Sequence, residues 1–479
     1  MPDDERERDA DATRPVEAVP PGVLDDVADA RHEGFSTVRL FGSPSFFRLW
    51  LAQVASSLGD WIGFVAITAL AARVGGGGSP EAAVGLVLSA RLIPGFFLAP
   101  LAGVLVDRWD RKRVMVVCDV GRGLVLATLP WVDTVAGLVV VSLALEVLTL
   151  LWAPAKEASV PRLVPTGYLA TANSLSLVAA YGTFPIGSAL FTALAGVAKF
   201  LARYDTLDFL EVDQEFTAIY FDVCTFFVSA LLISTLALPG ATAKRRLDAK
   251  HGVDFASTWR ELREGFAFIG QSRLIRAVML SIATGLVGGG MLVPLGPAFA
   301  RETLGGGSAA FGLLLTALGI GVAVGITALS IVQRHIPHQR AFLVSVFGAG
   351  MSIIAGASMS DLRPVLFFVA LLGVCAGGVY VLGYTILQTN VDDDMRGRIF
   401  ATLNMLVRFC LLLAFAVAPF LASLLDGVSN DLFGGSLVVA GVRVAVPGVR
   451  LTLWLGGVIL LAAGLVALVA MRERRAASS

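Results

Sequence analysis

The chain has 479 residues, 56% of them hydrophobic and 15% charged, with 37 basic and 37 acidic side chains and a mean hydropathy of +0.78. A soluble domain carries about 25% charged residues, so this composition excludes an ordinary water-soluble fold, and a net charge of zero gives no sign of a nucleic-acid partner. Repeated apolar runs of roughly 20 residues match the hydrocarbon thickness of a lipid bilayer and predict an all-α membrane protein with twelve transmembrane helices.

Residues 1–44 open with Asp3, Asp4, Glu5, Glu7, Asp9 and Asp11. That is the wrong order for a charged-then-apolar leader, and a disordered cytoplasmic tail is expected. Apolar runs then place spans at 46–73, 81–106, 114–134, 136–155, 172–197 and 216–238, a first half over 45–239. A polar linker, 240–271, follows. In it Trp259, Leu262, Phe266 and Ile269 recur at helical spacing among charges, the pattern of an interfacial helix. The second half, 272–472, holds spans at 274–297, 308–332, 341–359, 364–390, 399–423 and 449–471, and 473–479 forms a short cytoplasmic tail. Cys118, Cys224, Cys375 and Cys410 all fall in apolar runs without C-x-x-C spacing, so they read as packing residues and no metal site is expected.

Basic residues set the expected orientation. Arg108, Arg111, Lys112 and Arg113 follow span 2, Lys156 and Arg162 follow span 4, and a dense group from Lys244 to Arg276 follows span 6. The opposite face holds only Arg73, Lys199, Arg203, Arg301, Arg363, Arg443 and Arg450, while Arg91, Arg122 and Arg408 lie inside spans. The positive-inside bias puts both termini in the cytoplasm, with the protein in the plasma membrane. The halves also look duplicated. Ala170-Thr171-Ala172-Asn173-Ser174-Leu175, after span 4, recurs as Ala401-Thr402-Leu403-Asn404-Met405-Leu406, after span 10. The same offset carries the basic loop 107–113 onto the loop after span 8. Two six-helix halves in parallel orientation are the expectation.

The loop between spans 2 and 3 reads Gly103-Val104-Leu105-Val106-Asp107-Arg108-Trp109-Asp110-Arg111-Lys112-Arg113. It resembles the signature loop of the major facilitator superfamily, with Asp110 where a second glycine is usual. That exchange looks like the branch of macrolide, multidrug and siderophore exporters. So do Phe47-Arg48-Leu49-Trp50, Leu58-Gly59-Asp60-Trp61, Pro154-Ala155 through Val160-Pro161, and Arg396-Gly397-Arg398. The resemblance covers about residues 45–472. It implies a conformational latch built from Gly103, Asp107, Arg108, Arg111 and Lys112. The glycine-rich antiporter motif of the fifth span survives only as Gly182-Thr183-Phe184-Pro185-Ile186-Gly187, which predicts a kink there.

Ionisable groups inside a membrane carry a function or a partner. Asp60 lies about 21 Å from the cytoplasmic start of span 1 and Arg91 about 22 Å from the cytoplasmic end of span 2. Arg122 and Glu146 lie about 12 and 13 Å deep. Equal depth predicts the pairs Asp60–Arg91 and Arg122–Glu146, either as permanent ion pairs or as proton-coupling groups. Asp119 and Asp222 read as interfacial or packing residues. The resemblance places a substrate cavity between the halves, lined from spans 1, 4, 7 and 10. Candidates are Gln53, Ser57, Thr149, Trp152, Met291, Tyr380, Tyr384 and Gln388, a mix that suits a bulky lipophilic solute.

The chain has no H-E-x-x-H, G-x-S-x-G or P-loop pattern, so no catalytic residue, cofactor or enzyme activity is expected. The resemblance implies a secondary active transporter, a monomer in the lipid bilayer whose partners are a small-molecule substrate and protons. The favoured activity is proton-coupled efflux of amphipathic or drug-like compounds by alternating access. An uptake carrier, a siderophore or lipid exporter of the same fold, and a transport-inactive receptor stand as alternatives.

Overall fold

The computed structural model describes residues 41–75, 80–201, 214–237, 272–332, 336–391, 393–433, 436–439 and 442–478. Side chains at 99–101, 103, 104, 107, 108, 166, 170, 214, 330, 393–398, 401, 432–444 and 472–478 fall outside the description. So does the linker 240–271, with its expected interfacial helix, and so do residues 1–40.

Twelve spans among the described residues are long and apolar enough to cross a bilayer. Spans 1 to 4 are Pro44–Val74, Pro80–Arg108, Arg111–Ala127 and Val135–Glu157. Span 5 is two helices, Leu169–Tyr181 and Thr183–Leu201, and span 6 is Gln214–Ser234. Span 7 is Arg273–Gly290, then Leu292–Ala298 and a π-helical turn Phe299–Thr303. Spans 8 to 12 are Ser308–Val332, His338–Ser358, Leu362–Asn390, Asp393–Phe433 and Gly448–Ser478.

Local chemistry explains the starts and the breaks. Ser43, Asp110, Thr134 and Ser272 cap spans 1, 3, 4 and 7, each accepting a backbone N–H three residues on. Asp110 thus gains a structural role where the resembling loops carry glycine. The breaks follow proline, which lacks an N–H for the carbonyl four residues earlier. Pro185 leaves Tyr181 unserved, and the helix stops there. Pro294 does the same to Gly290, at the end of the first segment of span 7.

Two features extend past the sequence reading. Span 11 runs 41 residues, about 60 Å at helical rise, against a hydrocarbon core of about 30 Å. The helix is thus longer than one crossing needs, and its end from Asp426 onward is more polar. An antiparallel hairpin follows, β1 (Ser436–Val439) and β2 (Val442–Ala445), in register from Ser436↔Ala445 to Val439↔Val442. It adds a small strand element, rich in β-branched valine, to a fold read as all-helical. Arg450, 1% exposed, donates to Ala445 O and, at 3.0 and 3.1 Å, to Met359 O and Ser360 Oγ, tying this loop to the end of span 9.

The packing of the halves repeats. Spans 1 and 6, 3 and 6, 2 and 4, 3 and 4, and 1 and 5 pack together. So do 7 and 12, 9 and 12, 8 and 10, 9 and 10, and 7 and 11. The halves meet chiefly through the pairs 2–11 and 5–8, which a two-fold relation exchanges.

Where they meet fixes the state. One hydrophobic cluster spans both halves near the face opposite the start of span 1 and the end of span 12 (the terminal face), from Ile62–Ala72 and Val84–Leu88 to Leu292–Ala300, Ala414–Ala422 and Val449–Leu460. Toward the terminal face the core divides. Phe46, Leu49, Met115, Trp152 and Ile233 belong to a cluster of the first half alone. Ile275, Met279, Phe342, Leu382 and Leu403 belong to one of the second half alone. The halves are sealed at one face and part toward the other.

Candidate functional site

Span 3 carries Asp119 and Arg122 one turn apart, facing Ser56 and Asp60, also one turn apart on span 1. Arg122 is 1% exposed and Asp119 fully buried. The guanidinium donates to Asp119 Oδ1, to Ser56 Oγ at 3.1 Å and to Asp60 Oδ2 at 3.3 Å. Its faces lie 4.3 Å from the Phe226 ring centroid and 5.3 Å from that of Trp152, a cation–π arrangement on two sides. Ser229 donates to Asp119 Oδ2 at 2.7 Å. Asp60, with a side chain 32% exposed, is the member that reaches out of the packing.

Span 6 brings a third carboxyl group. Asp222 is 1% exposed and presses on span 1 where Gly59 and Gly63 leave no side chain, so a methyl group at either position would overlap its oxygens. Thr225 donates to the Asp222 carbonyl at 2.7 Å and to its carboxyl at 3.3 Å. Asp222, Phe226 and Ser229 form one stripe at helical spacing, a signal present in the sequence but unread there.

Neither expected pair is formed as an ion pair among the described residues. Among the described residues Asp60 pairs with Arg122, while Arg91 lies over the Phe64 ring at 5.7 Å. Among the described residues Glu146 has no ion pair with Arg122, and it lies within electrostatic reach of Arg91, Asp60, Arg408 and Arg122. Equal depth fixes position along a helix axis but leaves the direction around it free. Asp119, read as an interfacial or packing residue, bonds directly to Arg122.

The candidate cavity residues divide. Gln53 is 3% exposed and donates to Ser176 O at 2.9 Å, one of three bonds stitching span 1 to span 5 beside Trp50 and Trp61. Trp152 packs on Arg122, and Met291 is buried at the break in span 7. All three are buried. Ser57 and Thr149 are partly exposed, Thr149 donating to Leu145 O at 2.9 Å. Tyr380, 53% exposed, stacks on Tyr384 at 4.4 Å, which meets Phe400 at 5.2 Å, an aromatic surface on spans 10 and 11. Gln388 is exposed at the terminal end of span 10.

In the signature loop, Arg111 donates to Ala158 O at 2.6 Å and Lys112 to Leu236 O at 2.8 Å. Both cations thus satisfy carbonyls at the ends of spans 4 and 6, where the helix dipole favours positive charge. Gly103, Asp107 and Arg108 end span 2, and their side chains lie outside the described residues.

Comparison with known proteins follows the geometry. The chain is 24% identical over 367 residues to the MFS-type transporter YfiS of Bacillus subtilis, covering 74% of this chain and 81% of that protein. It is 23% identical over 399 residues to the multidrug efflux pump Tap of Mycobacterium tuberculosis, covering 82% and 88%. Among solved structures, an inward-facing bacterial homolog of the human lysosomal transporter Spinster superposes with a TM-score of 0.70 at 15% identity, over 90% of this chain and 97% of that one. The nucleoside transporter NupG superposes with a TM-score of 0.64 at 12% identity, over 89% and 99%. The family model described as Major Facilitator Superfamily matches residues 49–409, and the chain belongs to that superfamily of membrane transporters.

Proposed function

We propose that this transporter exports amphipathic, drug-like small molecules across the plasma membrane in exchange for protons, with both termini cytoplasmic. The observation that carries the reading is the ion network at the level where the halves part. Asp60, Asp119, Glu146 and Asp222 oppose Arg91, Arg122 and Arg408 in the middle of the spans. Uncompensated charge inside a membrane is costly, so four carboxyl groups against three guanidinium groups are neutral with one proton bound. Asp60, both paired and partly exposed, is placed to exchange that proton as the halves rock. The aromatic surface of Tyr380, Tyr384 and Phe400 supplies apolar area for a bulky solute. Similarity to the efflux pump Tap supports the outward direction.

The test uses purified protein in liposomes loaded with a pH-sensitive dye, under an imposed pH gradient. Addition of lipophilic drugs is expected to drive proton movement in proportion to drug flux, and Asp60→Asn to permit exchange without accumulation. Drug flux with no accompanying proton movement would refute the coupling.

A further inference from the structure

Span 11 sends one cation across to the other half. Arg408 is exposed, and its Nη1 lies 2.5 Å from where a Cβ on Gly95 of span 2 would stand. Any side chain at Gly95 would displace it. Arg91 lies one turn earlier on the same face of span 2, about 6 Å along the axis. Spans 2 and 11 thus bring one arginine from each half to neighbouring turns of this seam. Farther toward the sealed face, Pro419 of span 11 packs against Gly85 of span 2, its Cγ 2.6 Å from a Cβ there. The two arginines thus sit below that closed seam, at the apex of the gap that opens to the terminal face.

Neither arginine is consumed by the protein. Among the described residues no hydrogen bond or ion pair engages Arg408, and Arg91 has only the Phe64 ring. Glu146 lies within electrostatic reach of both Arg91 and Arg408. Asp60 is held by Arg122, and Asp222, also within electrostatic reach of Arg91, is buried against Gly59 and Gly63 of span 1. Among the described residues neither guanidinium is bonded to a carboxylate, so the N–H donors of both are open to a ligand. Planar guanidinium groups are the side chains best suited to bind carboxylate, sulfonate or phosphate oxygens.

We infer that the substrate carries an anionic group, a carboxylate, sulfonate or phosphate ester, which binds between Arg91 and Arg408 while its apolar part lies toward Tyr380 and Tyr384. The inference rests on the transport reading above and narrows its substrate class. Bridging the two halves, such a group would couple binding to their relative movement.

The test measures equilibrium binding, independent of transport, with the full chain in phosphatidylcholine nanodiscs. Dodecyl phosphate, dodecyltrimethylammonium and dodecanol serve as probes of equal chain length. Dodecyl phosphate is expected to bind tightest. Arg408→Gln should weaken it about tenfold or more, as expected for loss of a charged hydrogen bond, with Arg408→Lys intermediate and dodecanol unaffected. Arg408 is exposed and unbonded, so the variant should fold, and size-exclusion profiles check this. Phosphatidylglycerol in the disc distinguishes the sources. Competition lost in Arg408→Gln assigns the site to an anionic lipid headgroup, and absence of competition assigns it to a soluble amphiphile; either outcome upholds the anion site. Equal affinity for the three probes, or unchanged dodecyl phosphate binding in Arg408→Gln, overturns it. So does tighter binding of dodecyltrimethylammonium that Glu146→Gln abolishes. A protein that binds dodecyl phosphate as expected but moves nothing in liposomes would refute the transport reading alone.

Discussion

Asp119 and Asp60 both bond to Arg122, yet the structure gives them unequal weight. Asp119 is fully buried, holds the guanidinium directly and accepts from Ser229. Replacing it with asparagine leaves a buried guanidinium with a single carboxylate, Asp60, at 3.3 Å. Removing one side of a buried pair costs about 3–5 kcal/mol. Asp60 and Ser56 persist, so the lower end applies, about 3 kcal/mol, or roughly a hundredfold in the folded-to-unfolded ratio. Asp60→Asn removes one charged contact from a side chain 32% exposed. Asparagine still offers a carbonyl there, so the cost is about 1 kcal/mol. Fluorescence size-exclusion after a heating series reads both. Asp119→Asn is expected to lose most of its monodisperse peak, while Asp60→Asn keeps its peak and loses only concentrating transport. Equal melting of the two variants, or a more stable Asp119→Asn, would sink the assignment of Asp119 as the buried anchor.

Glu146 has no bonded partner among the described residues, so Glu146→Gln should melt within about 1 kcal/mol of wild type, read by the same heating series. Gly63→Ala forces a methyl group into the Asp222 carboxyl group. An overpacking cost of about 1–3 kcal/mol is expected, and Asp222→Ala in the same chain should restore part of the folded yield. Arg111→Gln loses the 2.6 Å bond to Ala158 O and should lower stability by about 1 kcal/mol, with a similar small loss for Lys112→Met. Cysteines placed at Gly77 and at Ser436 should react with an impermeant maleimide on intact cells. One at Asp248 should react only after permeabilisation, and labelling of Asp248 from outside would reverse the orientation.

Much of the fold was legible because the membrane imposes a one-dimensional rule. Each span must bury about 20 residues of apolar chain with its backbone satisfied internally. The apolar runs therefore register directly in the sequence, as does the kink at Pro185, whereas the caps Ser43, Asp110, Thr134 and Ser272 and the break at Pro294 emerged with the structure. The duplicated segments after spans 4 and 10 indicated two halves, and their packing repeats pair by pair. The hairpin at Ser436–Ala445 and the polar end of span 11 are not apolar runs of spanning length, so that rule does not specify them.

The site was legible only in its ingredients. The sequence located Asp60, Arg91, Arg122 and Glu146 within the spans, since charge there is rare. It gave their depth, and depth is one coordinate of three. Which carboxylate meets which guanidinium depends on rotation about each helix axis and on how closely two helices approach. Here the approach of span 6 to span 1 over Gly59 and Gly63 seats Asp222, and the facing of span 3 toward span 1 gives Arg122 to Asp119 and Asp60. Arg408 depends on tertiary structure most of all. Nothing near it in the chain connects it with Gly95 and Arg91, and only the packing of span 11 on span 2 across the two halves brings the charges to one place.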